Sequence, residues 1–130
     1  MGYKPSPFEC ALLFLALIQE REKRRGKLMT RAQIAEVTLK TLWNRQRLSE
    51  QFLDEVREWL MSAGWTLFYA GPIFGAVKIE AVKNWPSVAA WRIKPILAQV
   101  NKGSYDFGQL EDLFPPVHDD IPEADEKDDQ

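Results

Sequence analysis

The sequence LMSAGWTLFYA, residues 60–70, changes its hydrophobic period at Gly64. Before this glycine the apolar residues recur at helical spacing, and after it they follow the two-residue alternation of a strand. A second strand pattern covers residues 76–82, and residues 71–75 (GPIFG) supply turn residues between the two. The sequence therefore predicts a helix that ends at Gly64 and leads directly into a β-hairpin.

Two further helices are predicted ahead of this one. Ser6 and Glu9 form a capping-box pattern, and Pro7 suits the first helical position, so a first helix is predicted from Pro7 to Arg25. Thr30 repeats the capping signal and predicts a second helix that continues to about Trp43. Ser49 is placed to cap the third helix.

The region after the hairpin predicts short helical segments. Pro95 interrupts any helix over residues 87–102, so a break is expected near Lys94, and a last short helix is expected from Asp106. The expected fold class is thus α+β and mainly helical, with a three-helix core, a hairpin and extra C-terminal helical segments. We expect one domain over residues 1–114 and an acidic, disordered tail over residues 115–130.

Length and composition fit a single globular domain. The chain has 130 residues, of which 45% are hydrophobic and 28% charged, and its net charge is -2. Residues 119–130 hold seven carboxylates against one lysine and carry -6, which leaves about +4 on residues 1–118. The tail is interpreted as a solvated end that aids solubility, or as an internal competitor for an anionic partner of the basic body.

Several function classes lack the residues they need. Cys10 is the single cysteine, so no intramolecular disulfide and no cysteine metal cluster can form. His118 is the single histidine, lies at the start of the acidic tail, and is a poor candidate for an ordered base. The glycines form no phosphate-binding loop. The sequence therefore predicts no enzyme, no catalytic residue, no cofactor and no metal.

No membrane segment is expected either. The longest apolar run, Cys10–Ile18, has nine residues, whereas a membrane-spanning helix needs about 20. The charged residues that follow this run are unlike the cleavage region of a secretory signal. The expected location is the cytoplasm.

Two stretches resemble the winged helix-turn-helix family. Residues 29–36 (MTRAQIAE) resemble the second helix of that family, and residues 53–65 resemble the end of its third helix and the start of its wing. With the first helix and the hairpin, the resemblance covers about residues 7–83. It implies a winged-helix core that binds double-stranded DNA, with the third helix in the major groove and the wing at the backbone or the minor groove.

The charges of this chain depart from that pattern in two places. The third helix carries four carboxylates and one cation, Arg57. The hairpin tip, residues 71–75, has no lysine or arginine and offers Ile73 and Phe74 instead. Both departures count against binding of these elements in a DNA groove, because phosphate neutralisation by cations supplies most of the affinity.

Cations ahead of the third helix favour DNA nonetheless, because exposed amides and the helix dipole at that end also attract phosphate. Polar side chains at the same end are long enough to form hydrogen bonds with the edges of bases. The predicted DNA-binding residues are Arg31, Lys40, Arg45, Gln46, Arg47, Ser49 and Gln51. A second cluster of cations covers residues 21–27. Each cluster by itself is also typical of a solvated surface.

Aromatic residues allow two interpretations. The five tryptophans fit base stacking or a ligand pocket, but core packing is favoured, with Trp59 and Trp65 at core positions. Ile73 and Phe74 are predicted to be exposed at the hairpin tip and to form an interaction surface.

The sequence therefore predicts a small cytoplasmic DNA-binding protein that regulates transcription. The width of the apolar stripe on the first helix predicts a homodimer, formed through that helix and the C-terminal segment. The alternative is a winged-helix-like module that binds another protein through Ile73, Phe74 and the acidic third helix, without nucleic-acid binding.

Overall fold

Three helices and a three-stranded antiparallel sheet make up most of the first 85 residues of this protein, whose computed structural model describes residues 2–116. The described chain forms two compact units, one ending at Trp85 and the other beginning at Pro86. The elements of the first unit are α1 (Pro7–Arg25), β1 (Arg31–Ala35), α2 (Glu36–Trp43), α3 (Glu50–Ser62), β2 (Trp65–Ala70), β3 (Ile73–Lys78) and α4 (Ile79–Val82). The elements of the second unit are a 3-10 helix (Ala90–Ile93), α5 (Lys94–Asn101) and α6 (Gly108–Leu113). The predicted class, a mainly helical α+β fold, is confirmed.

Helix α1 has the predicted bounds. The Ser6 hydroxyl accepts a hydrogen bond from the Glu9 backbone N–H, and the Glu9 carboxylate accepts one from the Ser6 backbone N–H. The helix ends at Gly26, whose left-handed backbone (φ 76°) suits a residue without a Cβ. Local capping chemistry is therefore enough to define this element.

The predicted start of the second helix is wrong. Residues 31–35 form strand β1, which pairs antiparallel with β3 and places Ile34 opposite Phe74. Helix α2 begins only at Glu36, and Ala35 caps it without a side-chain hydrogen bond. Pairing with a distant strand overrides the local helix signal at Thr30, because the strand buries Ile34 and satisfies backbone groups along the edge of β3.

The hairpin is tighter than predicted. Strand β3 begins at Ile73, so the turn consists of Gly71 and Pro72 instead of residues 71–75. Phe74 pairs with Tyr69 on β2 and is only 1% exposed, so its assignment to an exposed interaction surface is wrong. The reason is strand alternation, which turns Phe74 toward the core and leaves Ile73 half-buried on the opposite face. Residues 79–82, predicted as strand, form α4.

The core lies between α1, α2, α3 and one face of the sheet. Phe14, Leu60 and Leu67 are among its fully buried side chains. Trp43 is also fully buried, and its indole Nε1–H donates to the Cys10 carbonyl oxygen at 2.9 Å. A buried indole needs such a partner, and this bond connects α2 to α1.

Of the two tryptophans predicted in the core, Trp65 is buried and Trp59 is not. Trp59 is 47% exposed. It lies on the flank of α3, beside the buried side chains of Val56 and Leu60, and its ring packs edge-on against Phe8 on the surface.

The second unit differs from the first in the burial of its side chains. None of the described side chains from residue 86 to residue 116 is buried. The break predicted near Lys94 is found, since the 3-10 helix ends at Ile93 and Pro95 lies in the first turn of α5. Helix α6 begins at Gly108 and not at Asp106, whose carboxylate accepts a hydrogen bond from the Gly108 N–H at 2.9 Å.

The predicted domain boundary does not coincide with the division between the two compact units. The expected boundary between residues 114 and 115 lies inside the second unit, whereas the division between compact units falls after Trp85. The expectation of a disordered acidic tail concerns residues that lie, from 117 onward, outside the described part. None of the helices within residues 2–116 has the length and apolar character to span a bilayer.

Candidate nucleic-acid interface

A groove of about 750 Å³ runs beside the end of α2 and the turn that follows it. We call it the basic groove, and its lining residues are Gly2, Lys4, Val37, Lys40, Thr41, Asn44, Arg45, Gln46 and Arg47. Four of these residues are cations, and no acidic side chain is among the described residues that line the groove. Such a surface attracts anions.

The turn after α2 shapes one wall of the basic groove. Asn44 has a left-handed backbone (φ 53°), and its N–H donates to the carbonyl oxygens of Lys40 and Thr41. Asparagine tolerates this conformation better than most residues, so it ends the helix here. The chain then turns away, which leaves Gln46 and Arg47 exposed on the groove.

The N-terminal segment forms the opposite wall. The Asn44 side-chain amide donates to the Tyr3 carbonyl oxygen at 2.8 Å, and the Arg45 guanidinium donates to the Pro5 carbonyl oxygen. Lys4 lies between these two anchored residues and thereby joins the groove. Sequence reasoning missed Lys4, because the other cations of the groove are more than 30 positions away and no local pattern indicates the contact.

A carboxylate holds the N-terminal segment in place. The Tyr3 hydroxyl donates to Glu9 Oε1 at 2.7 Å, and the Ser6 N–H donates to the same oxygen at 2.9 Å. The Ser6 backbone bond and then the Tyr3 bond lower the pKa of Glu9, while the hydrogen bond to Glu9 raises the pKa of Tyr3. Glu9 is therefore ionised at neutral pH and accepts both bonds.

Arg45 has a structural role beneath the basic groove. Its guanidinium carbon lies 4.0 Å from the centre of the Phe52 ring, and Phe52 packs edge-on against Trp43 with ring centres 5.6 Å apart. Its Nε is buried and has no hydrogen-bond partner among the described residues. The nearby Cys10 thiol has its pKa raised by burial, an effect that Arg45 partly opposes. Arg45 thus joins α3 and the N-terminal segment to the turn.

We expect Arg45 and Arg47 to differ sharply in their effect on stability. Arg45→Ala should lower the free energy of unfolding by about 1–3 kcal/mol, because it removes a ring contact and a hydrogen bond from a charged donor. Arg47→Ala should stay within about 0.5 kcal/mol of the parent, since Arg47 is exposed. Urea denaturation of the two variants makes the comparison, and equal effects would contradict the structural role of Arg45.

Of the remaining predicted DNA-binding residues, some line the basic groove and others lie outside it. Lys40 lines the groove and also pairs with the Glu36 carboxylate at 3.2 Å, a half-exposed pair of small energetic value. The Ser49 hydroxyl accepts from the Phe52 N–H at 3.2 Å and is used as the helix cap. Gln51 is exposed in the first turn of α3, outside the groove lining. The structure therefore brings together Lys40, Arg45, Gln46 and Arg47.

Arg31 belongs to a different surface, the outer face of the sheet. Here a second groove of about 480 Å³ is lined mainly by apolar side chains, including Phe68, Ile73 and Trp85. The Phe68 ring lies across Gly75 so closely that a Cβ at this glycine would be 2.3 Å from it. Arg31 and Gln33 are the polar residues of this groove.

The exposed face of α3 is acidic in the structure as well as in the sequence. Glu50, Asp54, Glu55 and Glu58 are all exposed. Arg57, the one cation of the helix, bonds to the Asp54 carboxylate at 2.8 Å and to the Leu67 carbonyl oxygen at 3.1 Å. A helix with these charges would repel the phosphates of a DNA groove.

No protein-family model, curated protein or solved structure matches this chain. Within residues 2–116, no three histidine, cysteine, aspartate or glutamate side chains are grouped as a metal site requires. The function therefore has to follow from the geometry of the chain itself, and the basic groove is its most specific feature.

Proposed function

We propose that this protein is a winged-helix DNA-binding protein whose basic groove contacts the phosphate backbone of double-stranded DNA, in the role of a transcriptional regulator. The observation that carries the proposal is the convergence of Lys4, Lys40, Arg45 and Arg47 on one groove. Three of these cations lie within residues 40–47, and the fold adds Lys4 through the bonds that anchor the N-terminal segment to Asn44 and Arg45.

The arrangement of elements supports the winged-helix part of the proposal. Helices α1, α2 and α3 precede a hairpin, as the resemblance implies. Strand β1 adds a third strand beside β3 and thereby holds the hairpin against the segment that leads into α2. The hairpin then corresponds to the wing, with Gly71 and Pro72 at its tip.

The charges favour contact with phosphates over reading of bases. The exposed face of α3 is acidic, and the tip of the hairpin is uncharged. Binding should therefore depend little on DNA sequence and strongly on salt. If Lys4, Lys40 and Arg47 each neutralise one phosphate, a plot of log K against log salt should have a slope of roughly -2.7.

A titration of a short fluorescent DNA duplex at several salt concentrations tests this function. The variant carrying Lys4→Ala and Arg47→Ala should bind more weakly to every duplex, and its salt slope should be less steep by roughly 1.8. The matched control carries Lys94→Ala and Lys102→Ala, two exposed lysines of the second unit, and changes the net charge equally. It should bind like the parent.

The control variant distinguishes binding at the basic groove from binding that depends only on the net charge of the protein. If both double variants lose the same affinity, binding depends on net charge and not on the basic groove. Absence of binding by the parent at low salt would contradict the proposed function altogether.

The outer face of the sheet favours a second candidate function, a module that binds another protein. Phe68 and Trp85 are exposed there, and Ile73 and Val77 complete an apolar surface with few polar groups. Exposed apolar surfaces of this kind often bind partners. This binding surface includes Ile73, which the sequence predicted to be part of an interaction surface, but it does not include Phe74, which is buried. Failure of the parent to bind any duplex at low salt would favour it.

A further inference from the structure

Phe8, Leu12 and Trp59 form an exposed apolar patch on α1 and α3, which we call the α1–α3 patch. The three side chains are 45%, 49% and 47% exposed. The rings of Phe8 and Trp59 are already in edge-on contact, with centres 4.7 Å apart and planes at 62°. Leu12 follows Phe8 by one helical turn and lies on the same stripe of α1. Half-exposed aromatic rings held in a fixed pair are typical of binding surfaces.

We propose that a second copy of this chain covers the α1–α3 patch, with the two α1 helices antiparallel across a twofold axis. The stripe that begins with Phe8 and Leu12 continues through Leu15 and Gln19 to Lys23. A twofold axis between Leu15 and Ala16 pairs Phe8 with the partner's Lys23 and Leu12 with the partner's Gln19. Leu15 and Ala16 then meet at the axis. The methylene stem of the partner's Lys23 covers Phe8, and its ammonium group reaches the carboxylates on the exposed side of α3.

Charge complementarity identifies the occupant as a second copy. The C-terminal end of α1 and the residues after it are basic, because residues 20–27 hold five cations against Glu20 and Glu22 and carry +3. At the other end of the stripe, the carboxylates of Glu55 and Glu58 lie beside Trp59 on the exposed side of α3. Antiparallel pairing brings the basic end of each chain onto the acidic end of the other, and the twofold axis forms this contact twice. A purely acidic or purely basic partner would match only half of the surface.

The proposal is independent of DNA binding. The α1–α3 patch and the basic groove have no residue in common. Loss of the dimer and loss of duplex binding are therefore separate outcomes of separate variants.

Sedimentation equilibrium of the full chain is the first test. We expect a mass near twice 15.0 kDa at tens of micromolar protein. Leu12→Glu replaces an apolar contact one helical turn from the axis with a charge that the interface must desolvate, and it should weaken association by about a hundredfold or more. The control is Met61→Glu, because Met61 is exposed on the opposite side of α3 from Trp59 and should leave the dimer intact. Circular dichroism melting checks that both variants fold.

A charge exchange tests the antiparallel arrangement. Lys23→Glu should weaken the dimer, because it places a carboxylate over the partner's Phe8, next to the carboxylates that flank the partner's Trp59. Adding Glu55→Lys to that variant should restore association, since the pair is rebuilt with its signs reversed. A monomeric parent, or an unaffected dimer in Leu12→Glu, would overturn the proposal. Failure of the second substitution to restore the Lys23→Glu dimer would overturn the antiparallel pairing.

Discussion

Replacing Trp43 with alanine should lower the free energy of unfolding by about 3–5 kcal/mol. Trp43 is fully buried, packs against Phe52, and donates its indole N–H to the Cys10 carbonyl oxygen at 2.9 Å. The substitution leaves a large cavity between α1, α2 and α3, and it removes the hydrogen bond that connects two of these helices. A small domain has only about 5–15 kcal/mol of stability, so the loss is a large part of the total.

The matched control for this variant is Trp91→Ala. It removes the same kind of side chain from an exposed position in the second unit, where none of the described side chains is buried. Guanidinium denaturation followed by far-ultraviolet circular dichroism should show a large shift for Trp43→Ala and almost none for Trp91→Ala. Similar midpoints for the two variants would mean that Trp43 does not hold the core together.

Phe74→Ala is expected to have an effect of similar size, about 3–5 kcal/mol. Its ring is 1% exposed and packs edge-on against Tyr69 with centres 5.0 Å apart. Truncation leaves a cavity beneath the middle of the sheet, because β1 and β2 both pair with β3 at this position.

The neighbouring residue provides the control. Ile73→Ala removes an apolar side chain of the same strand from the half-buried outer face, and its cost should be clearly smaller. The two variants can be compared by urea denaturation under identical conditions. If Phe74→Ala cost no more than Ile73→Ala, Phe74 would belong to the exposed surface that the sequence predicted and not to the core.

Local signals in the sequence were sufficient for α1, α3 and the position of the hairpin. Each of these elements carries its information within a few residues: the capping box at Ser6, the cap at Ser49, and the change of period at Gly64. Such signals work because the hydrogen bonds they describe join residues three or four positions apart. The acidic character of α3 was equally visible in the sequence and is found on its exposed face.

Contacts between distant segments explain what the sequence did not reveal. Strand β1 depends on pairing with β3, some forty residues later, and nothing near Thr30 distinguishes it from a helix start. The same applies to the candidate site. The cluster of Lys40, Arg45, Gln46 and Arg47 is local and was predicted, whereas Lys4 joins it only through the bonds of the N-terminal segment to Asn44 and Arg45.

The anchored N-terminal segment has a practical consequence for anyone who prepares this protein. Gly2 lines the basic groove, so an affinity tag fused ahead of it would emerge at the mouth of the groove. A polyhistidine tag there could mask the cations or add its own affinity for nucleic acid. Binding measurements should therefore use protein purified through its C-terminal end, or without any tag.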